Sequence, residues 1–350
     1  MASNTKKLNK GAQAEELLRF YFLKAGYYVI RSIPYSYENF DITDIDLFLY
    51  GRVSALSREK TIVDIKNKKT PQALERIFWV KGLQAALKMD RAVVATTDTR
   101  PAVVNYGKEQ GVIIVDGHLL KRLEKLSLEY KYRLTDNEFL DLIDEYPFQK
   151  IDGGWKNRII NSKRMLILGM NFDHINFWID NGYFFASQVI DNPDYKQHAL
   201  RCLYLMCSFV LIGIDFQMKE VSSMDYSERI DFMNEGFTYG AKGRNGTNNA
   251  VRNILTLLKS VPQGGGLANQ LQLSLDKGFE QLNSNILSEY FSKTEISKSL
   301  FDLAREFEVL AMNKEFIHHS SQPNLALKSV LFCLLDYWKI QRSLFEELSV

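Results

Sequence analysis

Residues 42–69 read ITDIDLFLYGRVSALSREKTIVDIKNKK and contain two patterns typical of β-strands. Residues 46–50 alternate tightly, and residues 61–65 form an apolar run before a cluster of lysines. Because side chains alternate along a strand, Asp64 and Lys66 point to the same face. The stretch therefore predicts two adjacent strands, with Asp46 on one and Asp64 and Lys66 on the other.

The elements around these strands predict an α/β domain. Amphipathic periodicity predicts helices at residues 9–26, 71–89, 101–110 and 119–128. Short apolar, β-branched or aromatic runs predict strands at residues 27–33, 46–50, 61–65, 92–96 and 112–115. The predicted order is helix, three strands, helix, strand, helix, strand, helix, which is typical of an α/β fold.

The rest of the chain is predicted to be almost wholly helical. Thr135 and Asp136 are suited to cap a short acidic helix that stops before Pro147, and residues 147–154 have the composition of a linker. The predicted domains are residues 1–133 (α/β), 134–154 (acidic helix and linker) and 155–350 (all-α).

The composition is that of a globular chain, with 46% hydrophobic and 25% charged residues. The three cysteines lie in apolar segments, which indicates buried side chains in a reducing compartment. Residues 1–30 lack the apolar core of a secretory signal. The charge-free run at residues 202–214 is shorter than the roughly 20 residues that span a bilayer, so it predicts a buried core helix. We expect a cytoplasmic protein without membrane contact.

Charge is divided unevenly along the chain. Residues 1–133 contain 23 Lys and Arg against 15 Asp and Glu, whereas the remaining residues contain 21 against 27. The excess of cations predicts that the first domain meets a polyanion such as DNA. A solvated lysine-rich surface is the alternative.

The acidic strands are suited to bind a metal ion. Two carboxylates on neighbouring strands can share one hard cation, so Asp46 and Asp64, a third carboxylate from Glu15 and the carbonyl of Ile65 predict a Mg²⁺ site, with Mn²⁺ as a substitute. An ion there polarises a phosphoryl oxygen and acidifies a bound water. Lys66 would hold that water or stabilise the developing negative charge.

These residues resemble the PD-(D/E)xK, or restriction endonuclease-like, nuclease superfamily, and within it the Mrr and archaeal Holliday-junction resolvase branches. The resemblance covers roughly residues 8–125 and implies a mixed central sheet flanked by helices. The matching segments are KGAQAEELL (10–18), ITDIDLFLYG (42–51), TIVDIKNKK (61–69), AVVATTD (92–98) and GVIIVDGHLLKRL (111–123). In the resolvases a helix glycine is followed four residues later by a metal-binding glutamate, which selects Glu15 over Glu16.

Two positions depart from the family pattern. Ile45 stands where many members have proline, and Asp64 stands where Mrr proteins usually carry glutamine and resolvases glutamate. Asp44 and Asp46 share a strand face, so spacing alone leaves open which of them binds metal. The family pattern favours Asp46, because the apolar strand follows it directly.

The resemblance implies a Mg²⁺-dependent endonuclease that hydrolyses DNA. Similarity to Mrr implies restriction of foreign DNA in antiviral defence, and similarity to the resolvases implies branched or repair substrates. We expect defence, because an additional helical domain suits a sensor or a partner-binding part. The alternative from another class is a non-catalytic scaffold that uses a nuclease-like fold to bind DNA or a protein partner.

Three further residues are candidates for DNA contact. Lys68 and Lys69 are predicted to contact phosphate, with a solvated strand exit as the alternative. Gln84 is a candidate to approach the scissile phosphate, as a glutamine does in related nucleases, with an ordinary surface position as the alternative. The glycine-rich segment 240–249 lacks the ending of a P-loop and predicts an interhelical loop.

The helical domain is expected to control assembly. Double-strand cutting by a single-site nuclease generally needs two active sites, so we expect a two-fold homodimer through these helices. A regulatory protein partner is the competing use of the same domain.

Overall fold

The computed structural model describes residues 10–38, 40–68, 72–125, 132–262 and 264–346. The chain divides into two compact units. The sheet unit is Met1–Gly169 with Met312–Phe316, and the helical unit is Met170–Ala311 with Ile317–Val350. The domains predicted at residues 1–133, 134–154 and 155–350 stay a prediction.

The sheet unit has the predicted order of elements. Its strands are β1 (Tyr28–Tyr37), β2 (Phe40–Arg52), β3 (Arg58–Lys66), β4 (Arg91–Thr96) and β5 (Ile113–Val115). Its helices are α1 (Lys10–Lys24), α2 (Ala73–Ala86), α3 (Pro101–Glu109), α4 (Gly117–Lys125), α5 (Asp136–Asp144) and α6 (Trp155–Leu168). The α/β class of the N-terminal part is therefore confirmed.

The five strands form one mixed sheet in the order β1-β2-β3-β4-β5. β1, β2 and β3 are antiparallel neighbours joined by hairpins, whereas β4 and β5 continue the sheet in parallel after the crossover helices α2 and α3. Leu47 pairs with Val63, and the next residues along the two strands in this register are Asp46 and Asp64. Both aspartates therefore lie at the sheet end where β3 and β4 finish.

Helices cover both faces of the sheet. α1 and α4 pack on one face, where Leu18, Leu47 and Val63 belong to a buried core. α2 packs on β3 and β4, and α3 packs on β5. α2 lies on the other face, because it contacts Asp64, which alternates along β3 with the core residue Val63. This arrangement matches the predicted central sheet flanked by helices.

The β1–β2 hairpin is longer than predicted. The pairing continues from Tyr28↔Tyr50 to Tyr37↔Phe40, although the predicted strands covered only residues 27–33 and 46–50. Residues near the tip are polar or exposed, so their sequence lacks the alternation of a half-buried strand. Cross-strand pairing continues both strands into this more exposed part of the hairpin.

The helical unit is built from α-helices in its described residues. They are α7 (Phe172–Asp191), α8 (Lys196–Met218), α9 (Tyr226–Tyr239), α10 (Gly243–Lys259), α11 (Gly264–Gln281), α12 (Ser284–Phe291), α13 (Thr294–Met312, whose last residue is assigned to the sheet unit) and α14 (Leu325–Tyr337). The predicted helical class of the C-terminal part is confirmed.

The helix α8 is the core helix predicted from residues 202–214. Pro193–Met218 is long and apolar enough to cross a membrane by length and composition, yet 94% of its most apolar 18-residue window is buried. Cys202 and Cys207 lie in this helix as buried free thiols, and burial raises the pKa of both. The burial agrees with a core helix rather than with a membrane span.

The segment 240–249, predicted as an interhelical loop, is mostly helical. Gly240–Lys242 forms a 3₁₀ turn, and α10 begins at Gly243. The amide of Ala241 donates to Asp173 at 2.9 Å, and the amide of Arg244 donates to Glu235 at 3.0 Å. These carboxylates come from other helices and satisfy amides at the turn, which a glycine-rich local pattern does not reveal.

Candidate functional site

Asp46, Asp64 and Lys66 lie together at one end of the sheet and form the candidate site. The backbone amide of Ile65 donates to Asp46 Oδ2 at 2.6 Å. Lys66 Nζ lies 3.7 Å from Asp64 Oδ1, with 28% of the lysine side chain exposed. Asp64 is only 8% exposed. Three of the residues predicted from the sequence are thus neighbours in the folded chain.

The carboxyl group of Asp46 is held in an unfavourable place for a negative charge. Burial raises its pKa to about 7, and the charges of Asp64 and Glu15 raise it as well, whereas the amide of Ile65 and the ammonium of Lys66 lower it. Neighbouring carboxylates repel each other unless cations lie beside them. The carboxylate oxygens of Asp46 and Asp64 are donors that fit a hard divalent cation.

Arg76 is a site residue that the sequence patterns did not identify. Its Nε donates to Asp64 Oδ2 at 2.8 Å, and its Nη2 donates to Asp64 Oδ1. It stands near the start of α2, the crossover helix between the parallel strands β3 and β4. Such a helix begins near the carboxyl end of the strand before it, so a cation one turn into α2 was the available signal.

Glu15 lies at the same end of the sheet but is held by a cation of its own. Arg31 Nε donates to Glu15 Oε2 at 2.7 Å, and Arg31 Nη1 donates to Glu16 Oε1 at 2.8 Å. The charge of Glu15 also raises the pKa of Asp46. Its role as a metal ligand stays a prediction.

The described residues contain no ready-made cluster of metal ligands. Among residues 10–38, 40–68, 72–125, 132–262 and 264–346, no group of three or more His, Cys, Asp or Glu side chains is placed to hold a metal ion. The candidate site has two carboxylates, one of them paired with Arg76. A cation there would need Asp46, Asp64 and further oxygen ligands from the backbone or water.

Asp44 is separated from the candidate site. It is exposed, pairs across the hairpin with Pro34, and lines a cavity of about 270 Å³ with Lys156 and Lys163. The hydrogen bond from Ile65, in contrast, ties Asp46 to β3. The geometry therefore favours Asp46 over Asp44, the choice that spacing left open.

Gln84 lies at the other end of the sheet from the candidate site. Its Nε2 donates to the carbonyl of Asp90 at 3.0 Å, and the amide of Asp90 donates to the carbonyl of Lys60 at 2.9 Å. Lys60 and Asp90 stand near the starts of β3 and β4, while Asp64 stands near the end of β3. The structure does not bring Gln84 to the carboxylates.

The predicted phosphate-binding lysines follow β3. Lys68 is exposed, and its carbonyl accepts a hydrogen bond from Thr97 Oγ1 at 2.5 Å, which ties the exit of β3 to the exit of β4. Lys69 lies outside the described residues. Lys68 is therefore placed at the same end of the sheet as Lys66, and it is exposed.

A buried ionic network supports this end of the sheet. Lys163 Nζ donates to Asp136 and to the carbonyl of Arg31, the latter at 3.2 Å. The amide of Asp136 donates to Glu16 Oε1 at 2.9 Å. Burial lowers the pKa of Lys163. The network joins α1, β1, α5 and α6, and it holds Arg31 against Glu15.

Comparisons with known proteins assign no family to the chain. No protein-family model, no curated protein and no solved structure matches it. Its function must therefore be inferred from the side chains of the candidate site.

Proposed function

We propose that the chain is a Mg²⁺-dependent endonuclease that hydrolyses DNA phosphodiester bonds with a PD-(D/E)xK-type site on a restriction endonuclease-like fold. The observation that carries the proposal is the convergence of Asp46, Asp64 and Lys66 at the carboxyl end of a parallel strand pair. Ligands of open α/β sheets bind at such strand ends. The basic excess of residues 1–133 supports an anionic substrate.

Asp46 and Asp64 would hold the divalent cation, with the carbonyl of Ile65 as the predicted further ligand. When bound, this ion supplies Lewis acidity toward a phosphoryl oxygen and toward a water molecule. A divalent cation beside Asp46 would favour the ionised form of this carboxyl group, because an added positive charge opposes the burial that raises its pKa.

Lys66 is suited to act on the reacting groups. Its ammonium lies 3.7 Å from Asp64 and is partly exposed, so it reaches from the carboxylates toward solvent. A cation in this position can orient the attacking water or stabilise the negative charge that develops at the phosphate. Exposed Lys68 would hold the DNA backbone beyond the reacting phosphate.

Digestion assays with the full chain on plasmid, linear and branched DNA test the proposal. Cleavage is expected with Mg²⁺ or Mn²⁺ and should stop when the ion is chelated. Preference for plasmid and linear DNA would support the proposed role in defence against foreign DNA, whereas preference for branched DNA would support repair. Absence of cleavage on all three substrates would overturn the enzyme proposal.

A non-catalytic scaffold is the second candidate function. It is favoured by the ion pairs that occupy Asp64 and Glu15, because Arg76 and Arg31 neutralise these carboxylates without any metal. Calorimetry with MnCl₂ separates the two functions. The nuclease should bind the ion and lose binding in Asp46→Ala, whereas a scaffold should show no binding that depends on Asp46.

A further inference from the structure

Arg76 occupies the side of Asp64 that a cation would take. Both carboxylate oxygens of Asp64 accept hydrogen bonds from the guanidinium, at Nε and at Nη2. Such two-point contacts between arginine and carboxylate are among the strong pairings of side chains. Since Asp64 is nearly buried, few of its lone pairs remain open to an ion while Arg76 stays in place.

The charges of the candidate site balance without a metal. Asp46 and Asp64 in their ionised forms are offset by Lys66 and Arg76, which lie against Asp64. A divalent ion would add two positive charges to this balanced group at short range. Binding of the ion is therefore opposed unless the guanidinium leaves Asp64 or a phosphate enters beside it.

The guanidinium of Arg76 has an alternative position away from Asp64. Its side chain is 23% exposed, and its guanidinium carbon lies 5.5 Å from the centre of the Trp79 ring, one turn along α2. Trp79 is itself 40% exposed. A guanidinium that leaves Asp64 can stay stacked on the indole while its N–H groups face solvent, where DNA phosphate would approach.

We infer that Arg76 is the resident cation of the candidate site and that it exchanges Asp64 for a DNA phosphate when a divalent ion binds. The inference rests on the proposed function and deepens it by naming a substrate-binding residue. Ion and DNA would then strengthen each other's binding, because each favours the same displaced position of Arg76.

Calorimetry with MnCl₂ on the full chain, without DNA, tests the first half of the exchange. Arg76→Met keeps an apolar side chain over Trp79 and removes the charge, so Mn²⁺ should bind at least tenfold more tightly than in the unmodified protein. Arg76→Gln keeps a hydrogen-bond donor for Asp64 and should also increase the affinity for Mn²⁺. This second variant keeps the test valid if Arg76→Met does not fold. Arg91→Met is the matched control, since Arg91 pairs with Glu59 at the opposite end of β3.

Duplex binding tests the second half. In a Lys66→Ala background, which is expected to retain the metal but not to cleave, the affinity for a 20-base-pair DNA duplex is measured by fluorescence anisotropy with and without MnCl₂. Adding Arg76→Met should weaken the duplex complex at least fivefold when Mn²⁺ is present. Unchanged duplex affinity would overturn the exchange.

The outcomes separate this inference from the proposed function. If the unmodified chain cleaves DNA and Arg76→Met binds Mn²⁺ no more tightly, the inference fails and the nuclease proposal stands. If the unmodified chain neither binds Mn²⁺ nor cleaves DNA, both fail together.

Discussion

Asp46 is the residue whose electrostatics most constrain the candidate site. Its pKa is raised to about 7, first by burial, while an aspartate in an unfolded chain titrates near pH 4. Between these values the folded state keeps a proton that the unfolded state has lost, so the group's contribution to stability declines as the pH rises from about 4 to about 7. Above pH 7 an ionised Asp46 destabilises the fold.

Asp46→Asn should therefore stabilise the protein at alkaline pH. The free energy of unfolding by urea is expected to rise by up to about 4 kcal/mol at pH 8 and to change little at pH 4, because the neutral side chain avoids the cost of ionisation. Asp44→Asn, on the same strand but exposed, is the control and should show no such pH dependence. If Asp46→Asn changed the free energy of unfolding equally at pH 8 and pH 4, the ionisation of a partly buried Asp46 would not be the cause.

His319 provides a second test at the residue scale, away from the candidate site. It is 1% exposed, its Nδ1 lies 2.9 Å from the hydroxyl of Tyr204, and burial lowers its pKa to about 3. An unfolded histidine titrates near pH 6.5, so the unfolded state binds the extra proton and stability falls as the pH falls below that value.

The expected loss from His319 between pH 7 and pH 5 is about 2 kcal/mol in the free energy of unfolding. His319→Asn should reduce this pH dependence, whatever its effect on stability at pH 7. His118→Asn, at an exposed position in α4, should leave the pH dependence as it is. Urea unfolding at the two pH values measures all three proteins. If the free energy of unfolding changed equally between pH 7 and pH 5 in all of them, His319 would not be the source of the pH dependence.

At the scale of elements, the network around Arg31 joins α1 and β1 to α5 and α6. Arg31→Met would leave Glu15 without its arginine and Glu16 with Arg19 alone, and removing one partner of a buried ion pair typically costs about 3–5 kcal/mol. Arg91→Met breaks an arginine–carboxylate pair whose arginine is 57% exposed, and it should cost at most about 1 kcal/mol. Urea denaturation compares the two, and equal losses would mean that the network adds no stability.

The same network affects how the chain can be divided. Asp136 of α5 and Lys163 of α6 bond to Glu16 and to Arg31, within one compact unit that extends to Gly169. A fragment that ends near Tyr132 would remove these partners from α1 and β1. We expect it to resist proteolysis less than a fragment that ends at Gly169, and limited trypsin digestion checks this order.

At the scale of the whole molecule, the proposed cutting reaction determines how many chains the active assembly needs. Each chain supplies one candidate site in the region described, and a double-strand cut generally needs two, so we expect a two-fold homodimer through the helical unit. Light scattering of the full chain should give a dimer mass that does not depend on concentration. A monomer that cuts one strand, or that cuts only after another protein is added, would support control by a partner instead.

Asp64→Ala tests the whole reaction by separating binding from cutting. It removes a carboxylate that faces the expected phosphate, so cleavage should be lost while duplex affinity stays equal or increases slightly. Asp44→Ala is the control and should retain cleavage. Cleavage at the original rate in Asp64→Ala would place the active site elsewhere.

Local pattern was enough to predict the order of α1 to α4 and β1 to β5, because helix and strand periodicities are properties of neighbouring residues. Local pattern also predicted that Asp46, Asp64 and Lys66 lie close together, as they do in the structure. A hairpin and the alternation of side chains along each strand leave these residues few other positions. The α/β and all-α classes of the two halves followed from the same patterns.

Partners distant in the sequence were settled only by the folded chain. Periodicity marked residues 71–89 as helical but did not show that Arg76 meets Asp64 while Gln84, about 12 Å further along the axis, meets Asp90. Likewise, Arg31 pairs with Glu15, which lies 16 positions earlier in the sequence. Such contacts depend on how helices dock on the sheet, and docking is set by side-chain packing and charge between elements, which no local window of sequence contains.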